Sequence, residues 1–259
     1  MTDYLNKLFG FDGHVSVVIG GTGVLGGELC NGLAQAGATV VVAGRSEERG
    51  KARVEEIEEL GGKAVFAAVD AGDRESVKAL LDTVVKQYGQ VDSLVNCAGV
   101  NSPTPYFEIT DEDFHKILNT NLHATHLGCQ IFGKHMVDAG RGAILNIGSV
   151  TSYRPLSRVF IYSASKAAVL NLTQNVAREF APSGVRVNCL CPGFFPAEQN
   201  RKILDKSRVD SILRHTPMGR LGDAPELIGA TLLLLSPTAG SFITGEAIYV
   251  DGGFTAMTI

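Results

Sequence analysis

Apolar residues along this chain gather into short runs separated by longer mixed segments. The runs are Val15 to Ile19, Thr39 to Ala43, Ala64 to Val69, Ser93 to Asn96, Ala143 to Ile147, Val185 to Cys191 and Ala247 to Val250. The first is apolar except for Ser16, a pattern that suits a strand buried on both faces of a parallel sheet; a half-solvated strand would alternate. The segments between the runs read as helical stretches, the first ending near Gly37. Strand and helix in alternation predict an α/β fold, a Rossmann-like doubly wound parallel sheet of about seven strands. Ligands of such a sheet sit at the carboxyl ends of its strands.

The turn after the first run carries the earliest chemical signal. Gly20, Gly21, Thr22, Gly23, Val24, Leu25 and Gly26 satisfy both G-x-G-x-x-G (21, 23, 26) and G-x-x-G-x-x-G (20, 23, 26). Glycine lets the backbone approach a pyrophosphate closely, while the N-terminus of the following helix supplies amide donors and partial positive charge. Glycine-rich turns are often only turns, and the strand-turn-helix-strand context is what makes this one a dinucleotide signal. After the second run an NAD site usually has an acidic residue for the ribose 2′-hydroxyl; here Gly44 stands there, followed by Arg45 and Ser46. A cation and a hydroxyl suit a 2′-phosphate, so NADP(H) is favoured over NAD(H). The alternative for Arg45 is a solvated loop residue.

Further along, Tyr162 and Lys166 stand four residues apart, just ahead of the apolar stretch Ala167 to Leu170, so both project from one helix face. A phenol is a poor base at neutral pH, and a neighbouring ammonium favours its anion. Ser149, 13 residues before Tyr162 at the end of a strand-like run, is positioned to donate to the same carbonyl oxygen. With Asn121, these residues can be assigned to one device that polarises a carbonyl and trades a proton with its oxygen. A Tyr-x-x-x-Lys pair alone occurs by chance in many proteins; the serine and the glycine turn are what point to a redox enzyme.

In order along the chain stand the glycine turn, Asp70 after the third strand, Asn96-Cys97-Ala98-Gly99, Asn121, Ser149, Tyr162 to Lys166, Pro192-Gly193 and the C-terminal segment Thr244 to Gly253. On these motifs the chain resembles the short-chain dehydrogenase/reductase family, in its single-domain branch, over nearly its whole length. The resemblance implies that Asn121 holds a water near Lys166, that Lys166 also binds the nicotinamide ribose, that Tyr162 is the general acid/base and that Ser149 stabilises the carbonyl oxygen. It implies cofactor contacts from residues 20–26, Arg45, Ser46, Ala71, Ala98, Gly99, Pro192, Gly193 and Phe195, with Asp70 at the adenine and Asn96 lining the site. It further implies a homotetramer in which the helices around Asn121 and Tyr162 meet a partner subunit. Departures from the family pattern are Ile19 for the usual threonine, Val24 for a common glycine, Cys97 where asparagine or alanine is common, and Phe194, Phe195 and Pro196 in place of a threonine that often follows Pro-Gly.

Residues 192–201 and 216–222 are similar to family members described as D-mannonate oxidoreductase-like or sugar-acid reductases. A polyhydroxylated acid needs a cation for its carboxylate, for which Arg154, Arg158 and Arg201 are candidates, and Asn101, Gln199 and Asn200 could bond its hydroxyls. Each reads equally well as a solvated surface group. The alternative in the same class is a 3-oxoacyl thioester reductase; in another class it is a non-catalytic, dinucleotide-sensing binding protein.

Composition narrows the partners. A chain of 259 residues with no linker, repeat or low-complexity tract reads as one dinucleotide-binding and catalytic domain over 1–259. A net charge of −4 and no basic stripe argue against nucleic acid and leave a small-molecule substrate. The N-terminal segment lacks the apolar core of a signal peptide and Leu227 to Leu235 is too short to cross a membrane, so a cytoplasmic protein is expected. Five cysteines without a C-x-x-C pair read as buried, reduced thiols. His123 and His126 share a helix face but no carboxylate joins them, so no metal is expected, and His215 lies either near the substrate or at the surface.

Overall fold

In the computed structural model, which describes residues 3–196 and 206–257, the apolar runs become the strands of one parallel sheet. They are β1 (Val15–Ile19), β2 (Thr39–Gly44), β3 (Lys63–Ala68), β4 (Ser93–Asn96), β5 (Gly142–Ile147), β6 (Val185–Pro192) and β7 (Ala247–Val250), in the order β3-β2-β1-β4-β5-β6-β7. The described helices are α1 (Asp3–Phe9), α2 (Val24–Gln35), α3 (Glu47–Glu59), α4 (Arg74–Tyr88), α5 (Asp111–Leu118), α6 (Ala124–Ala139), α7 (Phe160–Phe180), α8 (Lys206–His215) and α9 (Ile228–Leu235). None is long and apolar enough to cross a membrane.

The strands are apolar throughout because helices cover both sheet faces. Val18, Val40, Val42, Val95 and Leu145 pack with Leu29 and Leu33 of α2, Ile57 of α3 and Leu234 of α9. Their strand neighbours Val17, Val41, Leu94 and Ile144 point the other way, against Val77 and Leu80 of α4 and Leu127, Phe132 and Met136 of α6. Val17 and Val18 are both fully buried, and each such side chain contributes about 1.5–3 kcal/mol.

Several strand ends shift by one residue from the sequence pattern, and two of them bear on the ladder. β3 ends one residue early, at Ala68, yet Val69 still donates its N–H to the Gly44 carbonyl at 3.1 Å. β6 runs on to Pro192, where the missing N–H at a strand terminus costs no interior ladder bond. The chain also widens between α5 and α6 into one π-helical turn, Asn119–His123, and such turns often mark functional positions.

Register sets the location of the site. Ile19 lies opposite Ala43 on one side and Asn96 on the other, so the loops leaving β1, β2 and β4 open at the same edge. From β1 the sheet grows through β2 and β3 one way and through β4 to β7 the other. This reversal of strand order leaves a crevice at the carboxyl ends of β1 and β4.

Candidate active site

A cleft of ≈ 650 Å³ fills that crevice. Its floor is the turn from Gly20 to Gly26. Gly20 has φ +92°, and a β-carbon there would lie 2.6 Å from the Ala98 backbone nitrogen, so only glycine fits. A β-carbon on Gly26 would collide with the Gly20 carbonyl. Gly23 is the N-cap of α2 and offers no side-chain cap, so the amides of the first turn are left to the cleft.

At the β2–β3 side the cleft is lined by Arg45, Arg49, Asp70 and Ala71. A β-carbon on Gly44 would stand 2.6 Å from the Thr22 hydroxyl oxygen, so the position where an acid was sought is filled by Thr22. Asp70 is oriented by its own turn, its Oδ1 accepting the Gly72 N–H at 3.0 Å. Arg49 was missed in the sequence, although its spacing of four from Arg45 at the start of a helix was a readable signal.

At the β5 side the lining residues are Tyr162 and Lys166, which lie one turn apart on α7. Lys166 Nζ stands 5.7 Å from the Tyr162 ring centroid and donates to the Ile147 carbonyl at the end of β5, at 2.7 Å. Asn121, fully buried in the π-helical turn, accepts the Val100 N–H through Oδ1 (2.8 Å) and donates through Nδ2 to the Val100 carbonyl and Ser165 Oγ, both at 3.0 Å. Its amide thus joins the loop after β4 to α7. A β-carbon on Gly99 would lie 3.5 Å from Asn121 Oδ1 and 3.7 Å from Lys166 Nζ, so the two groups border the same small space left by this glycine. Ser149 caps the turn after β5 and is buried, its hydroxyl oxygen accepting the Thr151 N–H at 3.1 Å. Thr22, Val24, Leu25, Ala98 and Gly99 also line the cleft, and so does Asn101, whose Oδ1 is buried without a partner.

Other expected contacts lie elsewhere. The Ser46 hydroxyl oxygen caps α3 by accepting the Arg49 N–H, and Gly21 packs toward Cys30 Sγ. The Asn96 side chain turns into the core, donating to Asn146 Oδ1 at 2.9 Å. Gly193 lies against Asp251, and Phe195, 3 % exposed, belongs to the core and to a second cavity of ≈ 410 Å³. Pro192 stays in the ladder of β6 and β7. Arg154 stacks on Tyr153 and donates to the Thr255 carbonyl, and Arg158 is exposed with φ +64°; neither lines the cleft. Gln199, Asn200 and Arg201 lie outside the described residues. His215 is exposed, its Nδ1 2.8 Å from the Ser211 carbonyl of its own helix.

Of the five thiols, Cys97 is half-buried at the cleft, where burial pushes it up to about 11; the others are buried in the core. His123 and His126 stack with ring centroids 6.4 Å apart. Among the described residues, no three His, Cys, Asp or Glu side chains gather as a metal site.

Residues 23–255 match the profile of a protein family described as Enoyl-(Acyl carrier protein) reductase. The chain belongs to the short-chain dehydrogenase/reductase family. It is an oxidoreductase of that family. It is similar to Uncharacterized oxidoreductase UxuB of Bacillus subtilis, 36% identical over 94% of this chain and 95% of that protein. It is 35% identical to gluconate 5-dehydrogenase of Gluconobacter oxydans, over 96% of this chain and 97% of that one. Among solved structures, a gluconate 5-dehydrogenase from Burkholderia cenocepacia in complex with NADP and tartrate superimposes with a TM-score of 0.94 at 33% identity, covering 98% of this chain and 100% of its own.

Proposed function

We propose that this chain, acting as one dinucleotide-binding and catalytic domain, is an NADP(H)-dependent oxidoreductase that interconverts a secondary alcohol and a ketone on a sugar acid. The observation that carries the reading is the single cleft joining Arg45 and Arg49, across the glycine turn, to Tyr162 and Lys166. The bare glycine floor and the uncapped start of α2 fit a pyrophosphate, and the two arginines fit a 2′-phosphate. NADP(H) is therefore the preferred cofactor and NAD(H) the second, because Gly44 offers a ribose hydroxyl no carboxylate.

When bound, the nicotinamide supplies or accepts the hydride. Tyr162 gives its hydroxyl proton to the carbonyl oxygen during reduction and takes it from the alcohol during oxidation. The Lys166 ammonium, anchored on the Ile147 carbonyl, stabilises the phenolate left behind. The Ser149 hydroxyl oxygen is already engaged by the Thr151 N–H, which leaves its hydrogen to donate to the substrate oxygen. Asn121 is a positioning residue: its amide fixes Val100 and α7, and its Oδ1 with Lys166 Nζ borders the space over Gly99, where a water would replenish the proton.

The gluconate 5-dehydrogenase relatives support a sugar acid as substrate, and tartrate, present in one of those structures, is itself a hydroxylated acid. Asn101, with a buried amide oxygen lacking a partner at the cleft, suits a substrate hydroxyl. A narrower D-mannonate oxidoreductase-like role rests on the likeness of residues 192–201 and 216–222 alone. A 3-oxoacyl thioester reductase is the second reading, supported by the similarity to the 3-oxoacyl-[acyl-carrier-protein] reductase of Thermotoga maritima, 32% identical over 93% of this chain and 98% of that protein.

NADPH oxidation with keto sugar acids and with an acetoacetyl thioester separates them. Turnover of the sugar acids supports the proposal. Turnover of the thioester alone would replace it with the second reading, and tight NADPH binding with no oxidation by any carbonyl would favour a non-catalytic sensor.

A further inference from the structure

β6 carries two thiols, Cys189 and Cys191, to which the chemistry above gives no task. Two residues apart on one strand, they face the same side, and their sulfurs stand 3.7 Å apart. Both are fully buried. Gly148 covers the pair: a β-carbon there would lie 2.7 Å from each sulfur, so the thiols sit directly beneath the peptide leading into Ser149. The Ser149 backbone and the Ser152 and Tyr249 side chains also act on the Cys191 thiol. Tyr249 in turn lines the second cavity, beside Phe194 and Phe195.

A buried thiol is usually packing material. Two sulfurs already this close are different, because an S–S bond of about 2.05 Å is reached by a small side-chain movement. The pairing with Cys189 holds the Cys191 thiol below the usual range, with Ser149, Ser152 and Tyr249 nearby adding to it, whereas the same pairing and burial push Cys189 up. Cys191 is thus the nucleophile of the two.

We propose that Cys189 and Cys191 are a vicinal dithiol that hydrogen peroxide closes to a disulfide, and that closure switches off turnover by displacing the Gly148–Ser149 peptide above it. Only the turnover readout rests on the function proposed above. Cys191 thiolate attacks a peroxide oxygen, the O–O bond breaks and hydroxide leaves, giving a sulfenic acid. The Cys189 thiol then attacks the Cys191 sulfur, the S–S bond forms and water departs. Two thiols lose two electrons and two protons, and one peroxide becomes two waters. Residues i and i+2 of a strand have Cα atoms about 6.6 Å apart, at the upper end of the disulfide range, so the bond is strained and readily reduced.

The test is peroxide treatment of the whole protein, freed of nucleotide, with two readouts. Trypsin cuts after Arg186 and Arg201, so both thiols fall in peptide 187–201. That peptide is expected to become lighter by two hydrogens and to revert with dithiothreitol. Turnover is expected to fall by roughly tenfold or more and to recover with the thiols, because displacing a positioned group by about 1 Å costs on the order of 10²-fold. Cys191→Ser and Cys189→Ser are each expected to keep their own untreated turnover after peroxide. The proposal is overturned if peptide 187–201 keeps its mass, if the disulfide forms without loss of turnover, if Cys191→Ser remains sensitive, or if Cys97→Ala alone removes the sensitivity. Should the protein turn over no carbonyl, the peptide mass still decides whether the disulfide forms, and the functional reading fails separately.

Discussion

Asn121→Ala should destabilise the protein far more than its single side chain suggests. The amide makes three hydrogen bonds at 2.8–3.0 Å, and their partners belong to the loop after β4 and to α7. Alanine leaves the Val100 N–H and carbonyl without this partner. A buried polar group left unsatisfied costs about 1–3 kcal/mol. Ser165 suffers less, because its hydroxyl still donates to the Tyr162 carbonyl at 2.7 Å. The Val100 groups are only part-buried, and water can enter the space left by the amide, which places each near the lower end of that range. The expected loss is therefore about 2–3 kcal/mol. Asn175→Ala is the control: that amide bonds the Asn171 carbonyl on the exposed face of α7, and its loss should stay within about 0.5 kcal/mol. Urea unfolding of the two variants, read as a midpoint shift at constant m-value, makes the comparison. A loss below about 1 kcal/mol in Asn121→Ala, or one no larger than in the control, would refute the claim that this amide ties the site together.

Removing both Arg45 and Arg49 should weaken NADPH by roughly 10–100-fold while NADH changes little, since each charge-assisted bond to a phosphate contributes about 1.5–3 kcal/mol before solvent screening; calorimetric titration with both nucleotides checks this, and equal losses would contradict it. Glu226, paired with Arg220 at 2.6 Å, has its carboxyl held down to about 2, so the ion pair stabilises the fold above the ordinary glutamate range and loses its effect as pH falls from 4.5 toward 2. The melting temperature of Glu226→Gln should accordingly fall less steeply with acid over that window than that of the parent, and parallel curves would show that the pair contributes nothing.

The strands were legible because a sheet covered on both faces demands runs such as Val15 to Ile19, and the glycine turn was legible because its backbone must lie against Ala98 and leave α2 uncapped. Tyr162 and Lys166 were legible because a helix turn fixes their separation whatever surrounds it. Ser46 reads as a phosphate ligand and also caps the helix that starts at Glu47, its hydroxyl oxygen accepting the Arg49 N–H. What escaped depends on contacts distant in sequence. Asn96 looked like a cofactor contact, but alternation along β4 sends its side chain to Asn146, 50 residues away. Phe195 is held in the core beside Gly222, and Arg154 by a carbonyl 101 residues distant, neither of which local spacing reveals.

Turnover and NADPH affinity measured together in Tyr162→Phe test the proposed proton transfer most directly. The phenyl ring keeps the shape that faces Lys166 and loses only the hydroxyl. A fall in kcat of roughly 10²–10⁴-fold, with NADPH affinity close to that of the parent, is expected for a general acid/base. Turnover equal to the parent's would contradict the assignment of Tyr162 as the group that exchanges the proton.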